Sequence, residues 1–537
     1  MIDLKRLPLI FLLLVVWPKL AVTQHADLLI RNGKIINGTG NSWFYGDIAV
    51  KGDRILAIGR NIQLSSTDTI DANGLVIAPG FIDVHTHIED DERLNPTADN
   101  FIHDGVTTVI TGNCGLSAVS IGDYLDMIDS LKVSVNVAAL VGHNDIRESV
   151  MGKANRAPTP AELDQMKLLV DSAMRSGAVG FSTGLIYVPG VYAQTNEIIA
   201  LAKVAAAYGG VYATHMRNES DKINAAIDEA LTVGREAGIP VEISHFKIGG
   251  QAAAGNAAGI LDLVKKARNN GIEVTIDQYP YTASSTSLSS LIPEEFLADG
   301  KDSAIARLSN GNIRKAAIKT MINSLTKRGL KHYSYAVVAY YETDTTLNGL
   351  SIESINQRRG KKHTMESEAG TIIDMYINGG ASMVFHGMWE QDIKTIMKYP
   401  YNMFASDASI RVFGKGVPHP RGYGTNARVL AKYVREQKVL SLEEAIRRMT
   451  SLPATKFQLN GRGVLLEGMY ADIVVFDPNT VTDLSTYAKP HAYSTGFKAV
   501  IVNGKPVLED GKHLGTRSGR ALRKTEEIER SAVSGKL

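Results

Sequence analysis

The feature that most constrains this chain is a rhythm in its middle. From residue 80 onward, apolar runs of five to seven residues keep returning: "GFIDVHTH", "VTTVITGNCG", "VNVAALVGHN", "AVGFSTGL", "GVYATHMR", "PVEISHFK", "EVTIDQYPY" and "YNMFASDAS". Helical-looking stretches lie between several of them, such as "PAELDQMKLLVDSAMRSG" (160–177) and "NEIIALAKVAAAYGG" (196–210). Short continuous apolar runs suit strands buried on both faces, and parallel strands need a helical crossover between them. Eight strand–helix units in succession predict an α/β fold, a parallel (β/α)8 barrel of the TIM type. A ninth run, "SMVFHGM" (382–388), exceeds that count and is expected as an extra strand beside the barrel.

With 537 residues the chain is too long for one ordinary core. Residues 25–79 alternate short strands and turns ("DLLIRNGKII", "GDIAVKGDRILAIG"), and the same texture returns over 460–515 ("ADIVVFDP", "KAVIVNGKPVLEDGK"). The two flanks are expected to be halves of one small β-sandwich domain, brought together by the barrel over 80–459. Residues 289–370 break the rhythm and read as an insertion after the seventh barrel strand, a candidate lid. Residues 516–537 are charged and read as a mobile tail.

The first 24 residues place Lys5 and Arg6 before an apolar run from Leu7 to Trp17. That order and length predict a secretory signal peptide, and hence a periplasmic or secreted protein. A membrane anchor is the alternative, but the run is well short of the ~20 residues of a spanning helix. No stable span is expected after cleavage. A net charge of +2 gives no electrostatic reason to expect nucleic acid as a partner. The expected partner is a small-molecule substrate. The single cysteine, Cys114, excludes an intramolecular disulfide. In an oxidising compartment such a thiol is expected to be buried or bound to metal.

Residues i and i+2 of a strand point the same way, so His85 and His87 share a face. At the C-terminal end of a barrel strand that face meets the active-site mouth. One such histidine would read as a polar strand end; two read as a metal pair. Other strand ends carry Cys114 ("GNCG"), His215 ("ATHMR"), His245 ("ISHFK") and Asp407 ("FASDAS"). Each alone has a bland explanation: a buried thiol, a satisfied core histidine, a helix cap. Parallel strands deliver all of them to one rim. Three His/Cys ligands with an open position are what a catalytic zinc requires. Glu89, Asp90 and Asp91, directly after the histidine pair, read as rim residues and caps.

"GFIDVHTH", "GNCG", "STGLIYVPG", "THMRNE", "SHFK", "SDAS" and "HPRGYGT" together resemble the amidohydrolase superfamily. More closely, they are similar to its N-acyl-D-amino-acid deacylase (D-aminoacylase) branch, over about residues 26–510. The resemblance implies a tightly bound Zn2+ on Cys114, His215 and His245, and a second, weaker metal position lined by His85, His87 and Asp407. It implies Asp407 as general base and acid, and Lys247 and Arg421 as grips for the substrate carboxylate. Tyr187, Tyr279 and Ser285 are implied as further substrate contacts. The implied reaction is hydrolysis of N-acyl-D-amino acids. A D-residue dipeptidase, or another C–N hydrolase acting on peptidoglycan-derived fragments, is the alternative within the superfamily. A metal-bound binding protein on a retained barrel is the alternative outside enzymes.

Overall fold

The computed structural model describes residues 25–250 and 254–524. The leader reading over residues 1–24 and the last part of the charged tail lie outside the described residues. Eight parallel strands form the central sheet: Phe81–Asp83, Val106–Thr111, Asn136–Gly142, Gly180–Gly184, Val211–His215, Val241–Ile243, Val274–Gln278 and Asn402–Phe404. They fall on the eight apolar runs. All are buried, because helices cover the outer face and side chains fill the interior. The helix over Pro160–Arg175 begins with a capping box in which Thr159 and Glu162 satisfy each other's backbone N–H groups.

The barrel closes where its chemistry lies. The first and eighth strands meet through a parallel bridge between Thr86 and Ala408. Asp407 N–H donates to the His85 carbonyl at 2.9 Å, and His87 N–H to the Ala408 carbonyl at 3.0 Å. Asp83 reinforces the seam by accepting from the backbone of both His85 and Ser406, each at 3.1 Å.

The flanks build one nine-stranded sheet, eight strands in continuous order and the ninth, Ser65–Asp71, paired beside His25–Ile35. Val76–Pro79, from the N-terminal flank, pairs antiparallel with Ile473–Phe476 from the C-terminal flank. Ile30, Ile48, Ile77, Ile473 and Ile501 share its core. Among the described residues no helix is long and apolar enough to cross a membrane.

The structure redraws two sequence expectations. "SMVFHGM" supplies no strand beside the barrel: Ser382–His386 is the central strand of a separate antiparallel sheet, between Ala283–Ser287 and Ala336–Tyr340. The segment between the seventh and eighth barrel strands is therefore a folded lobe wider than 289–370, with its own core around Leu288, Met321, Ile352, Ile372 and Met383. The start of the charged tail is docked. Val137 N–H donates to Arg520 O, Leu522 N–H donates to Val137 O, and Arg523 pairs with Asp126 and Asp129, both at 2.7 Å.

Candidate metal centre

The strand ends deliver their side chains through unusual backbone. Cys114, His245 and Asp407 all have positive φ, at 54°, 37° and 50°. Non-glycine residues adopt this region at a cost of ~1–3 kcal/mol, and such strain collects at functional sites. "GNCG" shows how the turn is enforced. Gly112 and Gly115 have φ of 79° and 76°; a Cβ at Gly112 would lie 2.1 Å from Leu140 O, and one at Gly115 2.2 Å from Asn144 Oδ1. Only glycine fits either place, and the turn between them aims Cys114 inward.

Cys114 Sγ lies 3.3 Å from His85 Nε2 and 3.5 Å from both His215 Nδ1 and His245 Nε2. Three overlapping ligand groups result: Cys114–His215–His245, His85–His87–Cys114 and His85–His245–Asp407. Cys114, His85 and His245 each belong to two of them, so the groups overlap. Burial alone would raise the Cys114 thiol, yet the imidazoles around it hold it well below the usual thiol range. His87 is the most open of the four histidines. Burial opposes its charge, but Asp407 (3.4 Å) and Cys114 push it up to about 9.

The carboxylates behind the histidines set their orientation. Asp277 Oδ2 lies 3.2 Å from His85 Nδ1, while its Oδ1 accepts from the His245 backbone N–H at 2.8 Å. Glu219 faces the outer nitrogens of two rings, 3.0 Å from His245 Nδ1 and 3.7 Å from His215 Nε2. Lys247 Nζ also lies 2.8 Å from His245 Nδ1, and the inner nitrogens of the two rings face each other across the site. Those nitrogens, His215 Nδ1 and His245 Nε2, are only 2.8 Å apart. With the Cys114 sulfur 3.5 Å from each, they form a compact donor set that a cation among them would bridge. The donor set, with carboxylates on the outer imidazole nitrogens, fits a divalent metal of the zinc class.

A cavity of ≈ 1620 Å³ opens above, reached by His87, Cys114, Asp407 and Arg421 from the barrel and by Tyr335 and Phe385 from the insertion. Arg421 Nη1 lies 2.8 Å from Asp407 Oδ2, and its Nη2 donates to the Ser285 carbonyl at 3.3 Å. Arg421 Nε is buried without a hydrogen-bond partner. Burial opposes charge on Asp407, but Arg421 and His85 hold it well below the usual carboxylate range.

The implied substrate contacts divide. Tyr187 lines the cavity, donates to or accepts from Thr286 at 3.0 Å, and sets its ring edge-on to His215. Ser285 lines it too, although its hydroxyl donates to Met383 O at 2.8 Å. Tyr279 does not line the cavity; its ring lies under the Arg421 guanidinium, 4.6 Å from the centroid. Lys247 lines the cavity and is also paired: Nζ lies 2.5 Å from Glu219 Oε1, 2.8 Å from His245 Nδ1 and 3.2 Å from His245 O. It neutralises the carboxylate behind the histidines at the cavity wall.

Three residues at the site were passed over in the sequence: Asp277, Glu219 and His419. Asp277 lies one residue before the end of the seventh strand and Glu219 four residues after His215 in the loop that follows it, so both carried a positional signal. His419 donates from Nε2 to Ala283 O at 2.8 Å and accepts the Arg421 backbone N–H at Nδ1 at 3.0 Å, which fixes where Arg421 starts. Glu89 accepts from Thr111 and from Gly112 N–H, both at 2.6 Å, and so caps the second strand's turn.

A model of the amidohydrolase family matches residues 68–508. The chain is 35% identical to a D-aminoacylase of Alcaligenes xylosoxydans xylosoxydans, across 94% of this chain and 99% of that one. A solved D-aminoacylase structure with a binuclear metal centre superposes with a TM-score of 0.79 at 33% identity, covering 93% of this chain and 100% of the other. An N-acyl-D-glutamate deacylase of Bordetella bronchiseptica, complexed with zinc and a phosphonate mimic of the tetrahedral intermediate, gives 0.80 at 33% identity with the same coverage.

Proposed function

The chain belongs to the amidohydrolase family, and on that premise we propose that it hydrolyses the amide bond of N-acyl-D-amino acids, releasing a D-amino acid and a carboxylate. One observation carries this reading: Cys114, four histidines, Asp407 and Arg421 converge beneath or at the floor of one cavity. A bound zinc ion, with the second position optional, would polarise the amide carbonyl and make a water more acidic. Cys114, His215 and His245 would hold it, with His85, His87 and Asp407 around the neighbouring position. Glu219 and Asp277 keep the ligand nitrogens presented.

The chain's own groups supply recognition and proton transfer. Arg421 offers a planar fork to the substrate carboxylate, which a lysine matches less well. Tyr279 beneath and the His419 contact behind keep that fork in place. Asp407 receives the proton of the attacking water and delivers it to the leaving nitrogen. A substrate carboxylate that competes for Arg421 draws the guanidinium from Asp407 and raises that carboxylate's proton affinity. Recognition thereby tunes the base.

The cavity exceeds the ~300–1,000 Å³ of ordinary small-ligand sites, at ≈ 1620 Å³. That size supports a second reading, in which D-residue dipeptides or peptidoglycan-derived fragments are accepted. A panel of N-acetyl-D-amino acids, N-acetyl-L-amino acids and dipeptides, run beside metal analysis, separates the readings. Release of D-amino acids from the N-acetyl compounds supports the first; turnover of dipeptides alone supports the second; release of L-amino acids alone overturns both.

A further inference from the structure

A second group of metal-ligating side chains lies in the insertion, sharing no residue with the barrel centre. His332, Glu353, His363 and Glu368 present one nitrogen or oxygen each, all within 4.8 Å of one another. His332 Nδ1 lies 2.7 Å from Glu368 Oε1 and 3.9 Å from Glu353 Oε1. His363 Nε2 lies 2.6 Å from Glu353 Oε1 and 3.9 Å from Glu368 Oε1. These separations bracket the ~3.3 Å between neighbouring ligand atoms around a tetrahedral zinc with bonds near 2.0 Å.

We propose that these four residues form a structural site for a divalent metal of the zinc class. Two imidazoles and two carboxylates select zinc and its first-row neighbours over calcium or magnesium. Four protein ligands fill a tetrahedron and leave no open position, which is the pattern of a structural site. Charge agrees, because two carboxylates balance a dication when both rings are neutral. The rings of His332 and His363 stack at 4.0 Å with 21° between planes. The outer support is present as well: Glu368 is fully buried, and its Oε2 accepts the Tyr333 N–H at 2.8 Å.

The position gives the site a task. It joins the segment before Tyr333–Tyr335, the helix Ile352–Arg358 and the helix Met365–Ile377. Arg328, Leu330 and Tyr335, on either side of His332, contribute to the cavity wall. A metal here would pin that wall to the lobe's core. The site stands whether or not the substrate reading holds.

The test uses the full-length protein, stripped of metal and titrated with zinc and with cobalt. Cys114 is the only cysteine, so a thiolate-to-cobalt charge-transfer band reports the barrel centre alone. Wild type should bind one further equivalent that adds ligand-field absorption without that band. His363→Ala alters a half-exposed residue and should lose this equivalent, or bind it at least ~100-fold more weakly, while keeping the charge-transfer band. Glu353→Gln should do the same. Zinc should slow amide exchange over residues 328–364 in wild type and not in either variant. If both variants keep the wild-type stoichiometry and affinity, or if zinc leaves exchange there unchanged, the four residues form two ordinary ion pairs and the proposal fails.

Discussion

At the scale of the residue, the site is a set of ligands made usable by their neighbours. Asp407→Asn keeps the shape and loses the base, so kcat should fall by ~10²–10⁴-fold. Metal content measured on the same preparation separates lost proton transfer from lost metal. Glu219→Gln removes the charge behind His215 and His245, and metal affinity should weaken by ~10–100-fold. Activity should return when metal is supplied in excess; failure to return would mean that Glu219 acts on the reaction itself. The candidate ligands were legible, because histidine and cysteine at strand ends are rare enough to stand out. Asp277 and Glu219 were not, although both lay inside quoted motifs. A carboxylate at a strand end looks the same whether it caps a turn or orients a ring, and only a distance such as 3.0 Å to His245 Nδ1 separates the two. Lys247 shows the same limit: its charge was visible in the sequence and its Glu219 partner was not.

At the scale of the element, the turns after the strands do the aiming. Gly112 and Gly52 both have positive φ, but a Cβ at Gly52 meets nothing within 4 Å whereas one at Gly112 runs into Leu140 O. Gly52→Ala should therefore cost only ~1 kcal/mol of backbone strain, and Gly112→Ala clearly more. Thermal unfolding of the two variants side by side measures the difference, and Gly112→Ala should also lower metal affinity through Cys114. Equal melting shifts would remove the steric argument. The barrel strands were readable because burial on both faces leaves an unbroken apolar run. The insertion was not: its strands are short, its helices amphipathic, and its core draws Leu288, Ile352 and Met383 from distant segments. A polar average over that stretch hid a folded lobe.

At the scale of the whole molecule, the flanks depend on each other. Ile473–Phe476 has Val76–Pro79 on one side and Phe497–Val502 on the other. A chain that begins at residue 80 would expose an apolar edge there and should be recovered mainly as aggregate; the soluble fraction on expression is the measure. The leader reading makes a separate prediction: N-terminal sequencing of exported protein should find a start between Ala21 and His25.

The seam between the first and eighth strands has a consequence for when the protein can work. Ser406 binds Asp83 across 323 residues of chain, and Asp407 is held by the His85 carbonyl in the same seam. A ribosome that has completed seven strands has made the thiol and the four imidazoles of the barrel centre but neither Asp407 nor Arg421. The nascent chain can thus meet metal early and still be inert. On the proposed function, competence then waits for the closing of the ring, and an interrupted synthesis would leave fragments that carry the barrel's candidate metal ligands without its base.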